Sequence, residues 1–393
     1  MTIHPFRIAV PQADLDDLHA RLDRVRWPDQ IPGSAWSYGV PVDYLRELVH
    51  HWRHVYDWRA AEARLNEWPQ FTTVIDGTRV HFAHVRSPEP GATPLILTHG
   101  WPGSFVEFLD VVGPLTDPVA YGGDAADAFH VVVPSIPGFG FSGPTTESGW
   151  EAGRIADAWA ELMTRLGYER FGAQGGDWGA AISRELGRAH PERLVGVHLN
   201  LLPGAQAATE PTKEELAALS PAERERTLTS WRGWSAWLAD ASAYAALQAT
   251  RPQTLSYALT DSPVGQLAWI VEKFREWTDA REPPEEAVSR DHMLTNVMVY
   301  WLTGTANSAS RVYYERAHTT TGRVARPTAF STVPTGLAVF PGDPQIPLRH
   351  RAARTDTVVR WTEFDRGGHF AAMEEPDLLV GDVRAFFREL REG

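Results

Sequence analysis

Phe171-Gly172-Ala173-Gln174-Gly175-Gly176-Asp177-Trp178-Gly179 is the stretch on which the reading of this chain turns. An apolar strand, Arg170–Gln174, runs into a tight glycine turn, and the turn runs into a helix predicted over Trp178–Ala189. Gly175 and Gly179 flank Asp177 at −2 and +2. Such a turn lifts one side chain clear of the backbone, and only small neighbours leave room for it. The same residues also fit a plainer role, an Asp capping the following helix. The segments on either side favour the elbow, because strands and helices alternate around it. Phe71–Ile75 and Arg79–Val85 alternate about Asp76-Gly77, a hairpin signal. Leu95–Thr98 and Phe129–Val133 read as buried strands, separated by a helix expected from about Ser104 to Leu115. A helix over Trp150–Leu166 and a strand over Leu194–Leu199 complete the series. Alternation of this kind implies a mostly parallel sheet.

The elbow fits an α/β-hydrolase fold, with Asp where the nucleophile usually is Ser. Two further motifs fit it. His99-Gly100-Trp101-Pro102-Gly103-Ser104 follows a strand where this fold supplies one backbone N–H of an oxyanion hole. The residue after the nucleophile supplies the other, so the candidate donors are Trp101 and Trp178. Gly367-Gly368-His369-Phe370 follows a strand at Thr357–Trp361. Chain order of nucleophile, acid and base singles out His369 from 15 histidines. Asp343, at the end of a strand over Gly336–Phe340, fits the acid; Glu363 and Glu374 are weaker candidates. An Asp nucleophile attacks saturated carbon and leaves an ester on the enzyme, which activated water then cleaves. Epoxides and alkyl halides both suit that route.

The ends of the chain read differently. Residues 1–70 form an arm, with a helix marked by Leu15, Leu18, Leu22 and Val25 and stopped by Pro28 and Pro32. A second helix covers about Val42 to Val55, and Trp52, Trp58 and Trp68 serve as anchors. The core runs through 71–202 and resumes at 335–393, ending in a helix from about Pro376 to Leu390. Between them, 203–334 is helical and broken by Pro and Gly, as expected of a cap. Trp231, Trp234 and Trp237 fall on one face of a cap helix, and Trp269, Trp277 and Trp301 follow.

Composition bounds the partners. The chain has 393 residues, 50 acidic and 37 basic, for a net charge of −13. That balance argues against nucleic acid or an anionic membrane. Without cysteine there is no thiolate metal site, disulfide or cysteine nucleophile. No secretory signal or spanning segment is visible, so the expected location is cytoplasmic. No basic patch accompanies the motifs, so a neutral lipophilic substrate is expected rather than an anionic one.

Nearly the whole chain resembles the microsomal-type epoxide hydrolases, the group that includes the insect juvenile hormone epoxide hydrolases. The resemblance runs through Trp52-Arg53, Tyr56-Asp57-Trp58, His99–Ser104, Gln174–Gly179 and Gln248-Ala249-Thr250-Arg251-Pro252. It continues through Asp261–Gly265, Leu294–Met298, Thr303-Gly304-Thr305 and Gly367–Ala372. It implies an α/β-hydrolase core with a helical cap, and conversion of an epoxide to a vicinal diol without metal or organic cofactor. Asp177 then corresponds to the nucleophile and His369 to the base. Tyr244 and Tyr313 correspond to two ring-opening acids from the cap, with the adjacent Tyr314 competing for the second place. Two departures stand out. Mammalian members use Glu where this chain has Asp343, and they carry an upstream membrane anchor. The partners implied are a small epoxide and water; self-association, and a detoxifying or biosynthetic role, stay open. A haloalkane-type dehalogenase with the same Asp–His–acid set, or a hydrolase fold kept as a ligand sensor, are the rival readings.

Overall fold

The computed structural model describes residues 2–280, 282–318 and 330–392. Nine strands form one sheet. They are β1 (His4–Phe6), β2 (Gln70–Ile75), β3 (Thr78–Val85), β4 (Thr93–Thr98), β5 (Phe129–Pro134), β6 (Phe171–Gly175), β7 (Leu194–Leu199), β8 (Ser331–Val339) and β9 (Asp356–Glu363). Their order is β1-β2-β3-β5-β4-β6-β7-β8-β9. From β5 to β9 the neighbours are parallel, and β1 to β3 form an antiparallel flank. The central strands β4 and β6 are buried on both faces or nearly so, as a covered parallel sheet requires. The Asp76-Gly77 turn joins β2 to β3 with φ of 46° and 74°, the left-handed pair that a two-residue hairpin needs.

Three helices make the arm: α1 (Gln12–Leu22), α2 (Val42–His54) and α3 (Trp58–Leu65). Leu15, Leu18 and Leu22 are buried on α1, but the helix ends there; Val25 lies beyond it, so the stop precedes both prolines. The third helix was not expected from the sequence. Asp57 caps it by accepting from the amides of Arg59 and Ala60. The arm reaches the sheet through β1, which pairs with β2 and forms one edge of the sheet.

The core helices are α4 (Val112–Thr116), α5 (Ala152–Arg165) and α6 (Asp177–Ala189). The single helix expected from Ser104 to Leu115 is a correction. A 3₁₀ turn covers Phe105–Phe108, and α4 restarts at Val112. Pro114 has no N–H to give and its ring would strike the carbonyl one turn back, so a helix cannot run through it. It is tolerated in the first turn of α4. Strand β8 also differs, beginning at Ser331 rather than Gly336, with its pairing to β9 shifted at Pro334 and at Gly336.

The cap contributes α7 (Lys213–Ala217), α8 (Pro221–Asp240), α9 (Ala243–Thr250), α10 (Pro252–Asp261), α11 (Pro263–Trp277), α12 (Arg290–Thr303) and α13 (Ala306–His318). Residues 319–329 of the expected cap lie outside the described residues. The chain closes with α14 (Arg349–Ala352), α15 (Ala371–Glu374) and α16 (Pro376–Glu392). Among the described residues, no helix is long and apolar enough to cross a membrane.

Candidate active site

Strand β6 ends at Gly175 and α6 begins at Asp177, so the turn between them is a single residue. Asp177 has φ of 48°, a left-handed conformation that costs a non-glycine residue on the order of 1 kcal/mol or more. The neighbours enforce it. A Cβ on Gly179 would stand 1.8 Å from the Thr98 carbonyl oxygen, and one on Gly175 2.3 Å from the Gly179 backbone. Strand β4, β6 and α6 therefore meet at backbone contact, and the Asp177 side chain projects away from them.

The next loop along the sheet, after β4, comes to meet that side chain. The Trp101 amide donates to Asp177 Oδ1 at 2.8 Å. A Cβ on Gly100 would stand 2.2 Å from the same oxygen, so the approach depends on glycine there. The loop is gripped from both sides. The Ile136 amide donates to His99 Nε2 at 3.2 Å, and burial pushes His99 down to about 4. From the cap, Asn296 donates to the Pro102 carbonyl at 2.8 Å and Tyr300 to the Gly103 carbonyl at 2.6 Å. Trp178 occupies the first turn of α6, where backbone amides have no partner within the helix.

His369 arrives from the loop between β9 and α15. Its Nδ1 lies 2.8 Å from Asp343 Oδ2 and its Nε2 3.3 Å from Asp177 Oδ2. Burial by itself would lower the His369 pKa. The carboxylates of Asp343 and Asp177 outweigh it and hold the imidazole well above its usual value. The other oxygen of Asp343 accepts from the Gln345 amide at 2.7 Å. Glu374 stays out of this chain of contacts: its two oxygens accept from the amides of Asp279 and Phe370, bracing the His369 loop. Glu363 is bonded to Trp361 and Arg226 instead.

Two cap helices close over the pair. Tyr244, near the start of α9, stacks on the Trp101 indole with ring centres 5.0 Å apart and planes 7° apart. Tyr313 on α13 meets the Trp178 ring edge-on at 4.9 Å. The two phenol rings lie 6.0 Å apart. Burial, and then the charge of Asp177, push the Tyr244 phenol up; burial, Tyr244 and Asp177 do the same for Tyr313. Both stay protonated donors at neutral pH. Tyr314 points elsewhere and stacks on His318 at 4.0 Å. One step along a helix turns a side chain by about 100°, and that step separates the two tyrosines.

Asp177, Trp178, Tyr244 and Tyr313 line a cavity of about 530 Å³, together with Leu201 and Trp237. Of the cap tryptophans, Trp237 lines this cavity and Trp277 stands behind it, 4.9 Å from His369. Trp269 instead lines a separate space between arm and cap. Arg316 also lies in the wall, a single positive charge that no basic patch in the sequence announces. Sequence reading also missed Glu107. Its carboxyl fills the space that a side chain at Gly103 would need. Burial pushes it up to about 8, with His369 lowering and Asp177 raising it. The only trace in sequence is that Glu107 follows His99–Ser104 closely; nothing there marks it as turned inward.

Comparison with known proteins places the chain in a family. A family model described as the epoxide hydrolase N terminus matches residues 3–108, and one for the alpha/beta hydrolase fold matches 93–376. Epoxide hydrolase 1 of Oryctolagus cuniculus is 36% identical, over 98% of this chain and 88% of its own length. The chain belongs to the microsomal-type epoxide hydrolase family. A Stigmatella aurantiaca protein provisionally named an epoxide hydrolase is 48% identical, over 99% of this chain and 86% of its own. The Aspergillus niger epoxide hydrolase structure superposes with a TM-score of 0.84 at 33% identity, covering 99% of this chain and 97% of the other. Members of this family are enzymes, which removes the ligand-sensor reading, and the dehalogenase reading finds no support among these relatives.

Proposed function

We propose that this epoxide hydrolase opens a lipophilic epoxide through an ester on Asp177 and frees the diol with water activated by His369. The observation that carries the reading is the shared position of Asp177. One oxygen is held by the Trp101 amide, the other faces His369 at 3.3 Å, and both lie in a cavity that two phenols also line.

With Oδ1 held, Oδ2 is free to attack an epoxide carbon. The C–O bond of the ring breaks, and Tyr244 or Tyr313 gives the leaving oxygen a proton. Forming the ester removes the negative charge of Asp177. One of the two attractions that raise the His369 pKa disappears with it, so the imidazole moves toward its neutral form when a base is needed. His369, held by Asp343, then takes a proton from water, and the hydroxide adds to the Asp177 carboxyl carbon. The charge develops on Oδ1, toward the Trp101 amide, with Trp178 as the proposed second donor. On collapse the departing alkoxide takes the proton from His369 and leaves as the diol; the new Asp177 carboxyl, which keeps an oxygen from water, returns a proton to the phenolate. Trp101 and Trp178 suit the epoxide reading better than a halide site, because their indoles are packed against the two phenols.

A single turnover in heavy-oxygen water should put label in the Asp177 carboxylate and none in the first diol. Label in the diol after one turnover would mean direct attack by water. In His369→Gln, intact-protein mass spectrometry should find the alkyl adduct accumulating; turnover lost without an adduct would place His369 earlier in the reaction. The apolar wall made by Leu201, Trp237 and the alanines of α9 supports a lipophilic substrate. Styrene oxide should therefore exceed glycidol in kcat/KM, and parity between them would refute the preference.

A further inference from the structure

At the solvent-exposed rim of the catalytic cavity stands one charged side chain that the chemistry above leaves unused. Arg316 follows Tyr313 by three residues on α13, so the two stand on neighbouring faces about 4.5 Å apart along the helix axis. It lines the same cavity as Asp177, and its guanidinium carbon stands 5.9 Å from the centre of the Trp178 ring. Among the described residues, no carboxylate is in ion-pair contact with it. The adjacent Glu315 turns aside to accept from the Gly149 amide at 2.7 Å. Residues 319–329 contain no Asp or Glu. Asp177 is the one carboxylate in the described cavity wall, and its charge is already matched by His369. The neutral amide of Gln345 is a further polar side chain in the wall.

A guanidinium beside an aromatic wall, without a counter-ion, favours a planar anion that can accept two parallel N–H bonds. Its place matters as much as its charge. The reacting end of the cavity holds Asp177 and the phenols; Arg316 lies one helical turn away, with apolar side chains between α8, α9 and the core beside it. A ligand that fills this space is amphiphilic, with its epoxide at Asp177 and its acid remote from the ring.

We propose that Arg316 selects epoxides whose lipophilic body carries a carboxylate at the end away from the epoxide. This rests on the reading that Asp177 opens the ring. The probes are 4-(oxiran-2-yl)benzoate and its methyl ester, alike in shape near the epoxide and different in charge. In the wild type, the acid-to-ester ratio of kcat/KM should fall as salt is raised, because an exposed charge pair is screened. Arg316→Met should lower that ratio roughly two- to fivefold, the range for losing an exposed ion pair. Arg316→Lys, which keeps the charge but not the fork, should restore part of it. A ratio that stays the same in Arg316→Met, or that ignores salt, overturns the assignment of Arg316. Heavy-oxygen labelling of Asp177 with the methyl ester is run alongside. Absence of label there would overturn the underlying reading of Asp177 instead, so the two failures are told apart.

Discussion

Asp177 adopts its left-handed φ because three backbones crowd around it, and the same crowding brings further titratable groups to its side. Glu107 has the clearest consequence for pH. Its folded pKa of about 8 lies above the 4.5 of a free Glu. The folded protein therefore keeps a proton that the unfolded chain has released. Stability from this group is lost as pH rises from about 4.5 to about 8, and the loss is complete above that. Glu107→Gln imitates the protonated acid and removes the penalty. The Tm of Glu107→Gln relative to wild type should rise between pH 5 and pH 8 and level off beyond; a flat difference would mean that Glu107 ionises normally in the fold. The tyrosines make a separate prediction. Tyr244→Phe and Tyr313→Phe should each slow alkylation by roughly 10²–10⁴-fold, and the double variant far more. Tyr314→Phe should stay within about twofold in the same rapid-quench measurement, since its ring is stacked on His318 away from the cavity. A large loss at Tyr314 with none at Tyr313 would move the role by one residue.

At the scale of elements, the strand–turn–helix from β6 to α6 tolerates the least change. Gly179→Ala adds a methyl group 1.8 Å from the Thr98 carbonyl, a backbone atom in the central strand that cannot step aside. Overpacking of this kind costs about 3 kcal/mol or more. Urea unfolding should show that loss, and an Ala variant of wild-type stability would mean that the three backbones are not in contact. Gly233→Ala on the cap helix α8, where a Cβ meets nothing within 4 Å, is the matched control and should be neutral or slightly stabilising. The elements also differ in how plainly they could be read. The β2–β3 hairpin, β7 and α2 carry clean alternation or helical spacing. The segment after His99 does not: Phe105, Val106 and Phe108 are all buried, so its apolar run imitates a helix while packing on every side. Pro334 and Gly336 hid the first half of β8, because neither is a usual residue for the middle of a strand.

For the molecule as a whole, the arm packs against both core and cap. On the sheet side, β1 pairs with β2, and Arg64 on α3 donates to Asp110 of the core at 2.6 Å. On the cap side, α2 docks on α12: Trp52 donates to Met298 Sδ at 3.2 Å, and Tyr56 and Thr295 are hydrogen-bonded at 3.0 Å. Helix α12 also carries Asn296 and Tyr300, which hold the loop bearing Trp101. Trp52→Ala should cost about 3–5 kcal/mol. It should also slow turnover, because that loop is held through α12. Denaturation and single-turnover rates measured on one sample would test both, and unaltered chemistry would show the arm to be a brace alone.

The sequence by itself determined the Asp177 elbow, the His99–Ser104 loop and the order Asp177, Asp343, His369. Each is a local necessity: a strained turn demands glycine beside it, and a chemical step demands a particular side chain. The resemblance added Tyr244 and Tyr313. Only the tertiary structure decided which of two adjacent tyrosines faces the cavity, that Glu107 turns inward, that Glu374 braces backbone, and that Arg316 stands in the wall without an acidic partner. Those facts depend on residues far apart in the chain meeting in space. A side chain's direction and its neighbours are set by packing between elements, and packing leaves no local pattern to read.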